Sequence, residues 1–132
     1  MELSHDELTK RIIGSAIEVH KILGPGLLES AYQAAMEYEL KEQGLKIQAH
    51  QPITIHYKGI ELDKGYEADI IVNDKVIVEL KSVAEVSNVF YKQLQTYLRL
   101  TDKRVGLLIN FNVNKLIDGV KRIVNNYNLS IQ

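Results

Sequence analysis

The residues of this chain best suited to chemistry are Glu79 and Lys81, which interrupt the apolar run VIVELKS at residues 76–82. Placing a charge inside a sheet costs several kcal/mol unless it is paired or bound to a metal. In a strand, residues i and i+2 point to the same face, so Glu79 and Lys81 stand side by side, with Val76, Val78 and Leu80 on the other face. The sequence contains its own control in Glu39-Leu40-Lys41, the same triplet within a helical pattern. There i and i+2 do not face each other, so the strand context is what makes Glu79 and Lys81 informative.

Asp69 opens a second apolar stretch, ADIIV, where a lone carboxylate is equally costly. For Asp69 and Glu79 to oppose each other across a hairpin, residue 72 must pair with 76, leaving the loop Asn73-Asp74-Lys75. A two-residue turn at Asn73-Asp74 would put the two carboxylates on opposite faces. In the first register the carboxylates sit about 5 Å apart at the Cβ level and can share a divalent cation. Lys81 beside them can hold a water or stabilise charge developing on a phosphate. Carboxylates without thiolates favour Mg²⁺ or Mn²⁺ over zinc. The ordinary alternative is an ion pair of Lys81 with Glu79 or Glu67, plus an aspartate capping a turn.

These residues need a scaffold, and the hydrophobic period supplies one. Leu8, Ile12, Ala16, Val19 and Leu23 mark an amphipathic helix over residues 6–23, stopped by Gly24-Pro25-Gly26. A second helix is expected over residues 27–43 with Leu28, Ala31, Ala35 and Tyr38 on its inner face, closed by Gly44. The period then changes to two. Ile53, Ile55 and Tyr57 predict a strand, Lys58-Gly59 a turn, and residues 60–62 a further extended segment ending near Asp63-Lys64-Gly65. The strands at 66–72 and 76–82 follow, joined across Asn73-Asp74. A third helix covers residues 88–101, with Phe90, Leu94, Tyr97 and Leu98 inward. RVGLLINF reads as a buried central strand, and residues 119–124 as a last strand at an edge.

At 132 residues, one α/β domain spanning 1–132 is expected. A chain of this size buries roughly 68% of its unfolded surface and needs no staple. The absence of cysteine excludes disulfides, thiolate zinc sites and a cysteine nucleophile. No apolar run reaches the length of a membrane span, and MELSHDELTKR lacks a basic-then-apolar leader, so a soluble cytoplasmic protein is the expectation. With a formal net charge of −1, contact with nucleic acid must come from a local basic face.

An acidic residue opening one strand, followed by E-x-K on the next, resembles the PD-(D/E)xK nuclease superfamily, with Ala68 where the motif name has proline. GLLESAY (Gly26, Glu29, Tyr32), preceded by VHKILGP, is similar to the signature of the small GxxExxY proteins of that superfamily. Glu29 on a helix before the sheet, and Gln93 with Tyr97 as Q-x-x-x-Y on the helix after E-x-K, resemble the RecB-like and lambda-exonuclease-like branch. The resemblance implies a restriction-endonuclease-like α-β-β-β-α-β core, with an extra N-terminal helix and a mixed central sheet flanked by helices. It implies a metal-dependent DNA nuclease, exonuclease-like, with a junction-type endonuclease as rival and RNA not excluded. A non-catalytic binding module on the same fold is the alternative from another class. In this resemblance Glu29, Asp69, Glu79 and the Leu80 carbonyl hold Mg²⁺ or Mn²⁺, Lys81 positions the attacking water, and Gln93 and Tyr97 orient Lys81 or the phosphate. Lys92, Arg99, Lys103 and Arg104, on or just after the third helix, are the candidate backbone contacts. A homodimer is compatible with the same analogy. His20 reads as a partly buried, hydrogen-bonded side chain.

Overall fold

The computed structural model describes residues 2–62 and 65–125. The first helix, α1 (His5–Leu23), begins where Ser4 caps it by accepting the Glu7 N–H at 3.1 Å. After a glycine–proline loop comes α2 (Glu29–Glu42). Then follow β1 (Ile47–Pro52), β2 (Ile55–Tyr57), β3 (Ile60–Leu62), β4 (Glu67–Val72) and β5 (Val76–Lys81). Helix α3 (Asn88–Thr101) leads to β6 (Val105–Asn110), a short 3-10 turn (Leu116–Gly119) and β7 (Val120–Val124).

Five strands form the main sheet in the order β1-β4-β5-β6-β7. Strands β1, β4 and β5 are an antiparallel meander, and β7 is antiparallel to β6. Strands β5 and β6 are parallel, which requires a crossover, and α3 provides it. Helices α1 and α2 pack on one face through Leu8, Ile12, Tyr32, Met36 and Leu40 against Ile70, Val78, Leu80 and Ile109. Helix α3 covers the other face through Leu94, Tyr97 and Leu98 against Ile71, Ile77 and Leu108. This mixed α/β architecture is consistent with the expected restriction-endonuclease-like core. No helix among the described residues is long and apolar enough to cross a membrane.

Three expectations change. The strand read from Ile53 is a small separate hairpin, β2 with β3, and the sheet's first strand lies earlier, at Ile47–Pro52. Strand β1 is an edge with little buried surface, and the alternation of Ile47 and Ala49 with Gln48 and His50 ends at Gln51, too short to betray it. The inner face of α2 is Tyr32, Gln33, Met36 and Leu40, whereas Leu28 is 79% and Tyr38 62% exposed. Apolar residues surround α2 on nearly every side, so periodicity alone could not choose the face. Leu23 likewise stays exposed at the end of α1. Part of the turn expected at Asp63-Lys64-Gly65 lies outside the described residues.

One glycine is sterically required. A Cβ on Gly119 would come within 2.1 Å of the Asn110 carbonyl oxygen, so the 3-10 turn lies directly against the end of β6.

Candidate active site

Strands β4 and β5 are joined by the three-residue loop Asn73-Asp74-Lys75, with Val72 paired to Val76, Ile71 to Ile77 and Ile70 to Val78. Continuing that register sets residue 69 opposite 79. The backbone ladder stops at Ile70–Val78, and side chains take over. The Asp69 N–H donates to Glu79 Oε2 at 2.8 Å, and the Leu80 N–H donates to Asp69 Oδ2 at 2.8 Å. Both carboxylates therefore sit in a fork where the strands part.

The fork has a cause in the neighbouring strand. In the β1–β4 register, Ala49 pairs with Ile70 and Gln51 with Ala68, so His50 lies beside Asp69. His50 has φ +50°, a left-handed conformation that a non-glycine residue seldom adopts in a strand. On β4 itself, Ala68 and Ile71 both pack on the α3 side, whereas Ile70 and Val72 pack on the opposite side. Strict alternation slips at Asp69, and the strand bends there.

Burial and mutual repulsion dominate the electrostatics. Glu79 is 5% exposed. Burial, then the Asp69 charge, pushes its carboxyl up to about 8, against the opposing pull of the Asp69 N–H and Lys81. The Asp69 carboxyl is also raised, chiefly by burial. Burial, followed by the Glu79 charge, raises Tyr97 to about 12, which places its hydroxyl in the field of the fork. Lys81 is in no ion pair with Glu79 or Glu67. Its ammonium lies 4.3 Å from the centroid of the Phe90 ring, at the start of α3, and Glu67 pairs with His50 at 3.1 Å. The edge-strand ion pair is therefore not what the charges form.

Glu29 stands at the first position of α2, exposed, with one oxygen 3.4 Å from the Ser82 N–H. Its loop is tied down at several points. The Tyr32 hydroxyl donates to the Gly24 carbonyl at 2.6 Å and accepts the Leu27 N–H at 3.1 Å. The Tyr32 ring stacks on Phe111 with centroids 4.3 Å apart. Ser82 Oγ donates to the Leu27 carbonyl at 2.6 Å, so the loop docks on the residue that follows Lys81. Gly26, Glu29 and Tyr32 thus belong to one device that seats a carboxylate at the end of β5. A cavity of about 430 Å³ opens beside it, lined among others by Glu29, Gln33, Glu37, His50, Asp69 and Leu80.

Sequence reasoning missed two of these residues. Gln33 is buried and its amide donates to the Asp69 carbonyl and to Glu37, each at 2.9 Å. Its signal was only its place beside Tyr32. His50 had none, because its strand was unrecognised. Gln93 is half-buried one turn before Tyr97 on the same face of α3. Lys92 lies near the site end of that helix. Arg99, Lys103 and Arg104 lie at its far end, where Lys103 pairs with Asp74 of the β4–β5 loop at 3.0 Å. His20 is half-buried, bonds the Val113 carbonyl at 2.8 Å, and has its ring centroid 6.5 Å from that of Phe111.

Among the described residues, no three carboxylates or imidazoles stand close enough together to hold a metal ion as they are. Each carboxylate of the fork is instead turned toward a backbone N–H. The donor set nevertheless suits a hard divalent cation: a buried and a half-buried carboxyl, repelling each other and raised by burial, lack a positive charge between them.

A family model described as the PD-(D/E)XK nuclease superfamily matches residues 6–123. No curated protein and no solved structure matches the chain.

Proposed function

Because the chain belongs to the PD-(D/E)XK nuclease superfamily, we propose that its nuclease-type function is metal-dependent hydrolysis of DNA phosphodiesters, exonuclease-like in mode. The observation that carries this reading is the carboxylate fork of Asp69 and Glu79, with Lys81 two residues further along the strand. A Mg²⁺ or Mn²⁺ ion held by Glu29, Asp69, Glu79 and the Leu80 carbonyl would supply positive charge to the scissile phosphate and acidify water.

The remaining work falls to the protein. Lys81, resting on an apolar ring rather than neutralised by a carboxylate, keeps its charge available for the phosphate or an attacking water. Tyr97 and Gln93 on α3 hold that group in line from the side opposite α2. Gln33 and Tyr32 act behind the site, the first fixing the Asp69 backbone and the second fixing the loop that carries Glu29. Lys92 is the backbone contact nearest the fork.

The test is cleavage of linear and circular, single- and double-stranded DNA with Mg²⁺ or Mn²⁺, beside Asp69→Ala and Lys81→Ala. Metal-dependent cutting lost in both variants is expected, and circles are expected to be spared. Cutting that survives Asp69→Ala would remove the fork from the mechanism. A rise in melting temperature with Mn²⁺, absent in Asp69→Ala, is the matching binding result; at metal 100-fold above its Kd the gain is about 2.7 kcal/mol.

A further inference from the structure

Beyond the last β1–β4 pair, Pro52 with Glu67, the chain does not turn back at once. It runs on as the β2–β3 hairpin, leaving the sheet at the end where Asp69 and Lys81 lie. At the base of this arm the Ile53 N–H donates to the Tyr66 carbonyl at 2.8 Å, and the Ile53 side chain is buried in the α3-side cluster. Tyr66 is 44% exposed and lies close enough to Tyr97 to act on its hydroxyl, so the base of the arm borders the catalytic cleft.

The tip is built for contact. Tyr57 and Ile60 oppose each other in register and are 57% and 59% exposed. They contribute little to the core, and a lone two-stranded hairpin is marginal in water. The turn is Lys58-Gly59, with φ +50° and +81°. Asparagine is the customary residue at the first of these positions. A lysine stands there instead, with its ammonium 5.5 Å from the Tyr57 ring centroid. An exposed aromatic ring, an aliphatic neighbour and a cation thus share one protruding tip.

We infer that the β2–β3 arm is a stacking platform for a single-stranded stretch of nucleic acid, with Tyr57 and Ile60 against bases and Lys58 at a phosphate. The identity of the ligand rests on the nuclease reading; the platform itself rests on the tip. Stacking needs unstacked bases, which a duplex does not offer to a side-on ring. From Pro52 to the tip is six residues, so the arm reaches up to about 20 Å from the sheet. A strand that touches both the tip and the cleft at the base of the arm must therefore be several nucleotides long.

The chain contains no tryptophan, so Tyr57→Trp places a single fluorescent reporter at the tip. It is titrated in EDTA with 20-nucleotide oligo(dT), a 4-nucleotide oligo(dT) and a 20-base-pair duplex. Quenching by the long single strand, with little by the other two, is expected. In parallel, the Tyr57→Ala/Ile60→Ala variant should bind fluorescein-labelled 20-nucleotide oligo(dT) about tenfold more weakly, within the range for losing one stacked base. Its melting temperature should match the wild type, because both side chains are exposed. Absence of quenching, equal quenching by the duplex, or unchanged affinity of the double variant would overturn the inference, and DNA cutting by the wild type would then leave the nuclease reading standing. Quenching and weakened binding with no cutting would support the arm while removing the nuclease reading.

Discussion

Replacing Glu79 by glutamine should make the metal-free protein more stable at alkaline pH. Glu79 is 5% exposed, so solvent screening barely reduces the cost of its charge. A carboxyl moved from 4.5 to about 8 by folding has its ionised form disfavoured in the native state, with a ceiling of roughly 5 kcal/mol. The sign follows from proton counting. Below about 4.5 both folded and unfolded chains carry the proton, and the stability of the neutral group is fully present. Between 4.5 and about 8 only the folded chain retains it, so stability falls as pH rises, then levels off above 8. Glutamine keeps an oxygen for the Asp69 N–H and carries no charge. Thermal denaturation in EDTA from pH 5 to pH 9 reads the difference directly. The two proteins should nearly coincide at pH 5. The variant should then gain with pH, its melting temperature ending on the order of 10 °C higher at pH 9, well below the ceiling. A difference that stays flat across this range, or opens in favour of the wild type, would refute the picture of an uncompensated buried carboxylate.

Two further outcomes test the scaffold. Tyr32→Phe keeps the stack on Phe111 but strips the Gly24 carbonyl and the Leu27 N–H of their partner, and should cost about 1–3 kcal/mol in chemical denaturation. Gly119→Ala drives a methyl into the Asn110 carbonyl, and should cost at least about 3 kcal/mol, the upper end for overpacking, seen as a lower melting temperature and poorer soluble yield.

Legibility in the sequence followed the strength of local patterns. Helices α1 and α3 and the buried strands β4 to β6 were readable, because burial leaves periodic apolar residues. The sequence left a two-residue and a three-residue loop open between β4 and β5, and the pairing of Val72 with Val76 decides for the odd length that aligns residues 69 and 79. Strand β1 was not readable, since the alternation along this edge is too short to detect. The inner face of α2 was misplaced for the opposite reason, too many apolar residues around the helix. Within the candidate site, Asp69, Glu79 and Lys81 stood out because charges in apolar strands are conspicuous. Gln33 and His50 did not: an amide bonding a distant carbonyl and a backbone angle on an unseen strand exist only once the chain is folded.

The bend at His50 bears on how copies of this protein meet one another. Strand β1 ends the sheet, and an open edge of unpaired N–H and C=O groups is a template for adding strands from another molecule. A straight β1 would present that template in full. His50, in its left-handed conformation, breaks the line midway, and Pro52 brings no N–H to its end. The kink that gives Asp69 its place beside Glu79 therefore also blunts the edge against self-association, and a sequence change that straightened it would open the site and the edge to damage together.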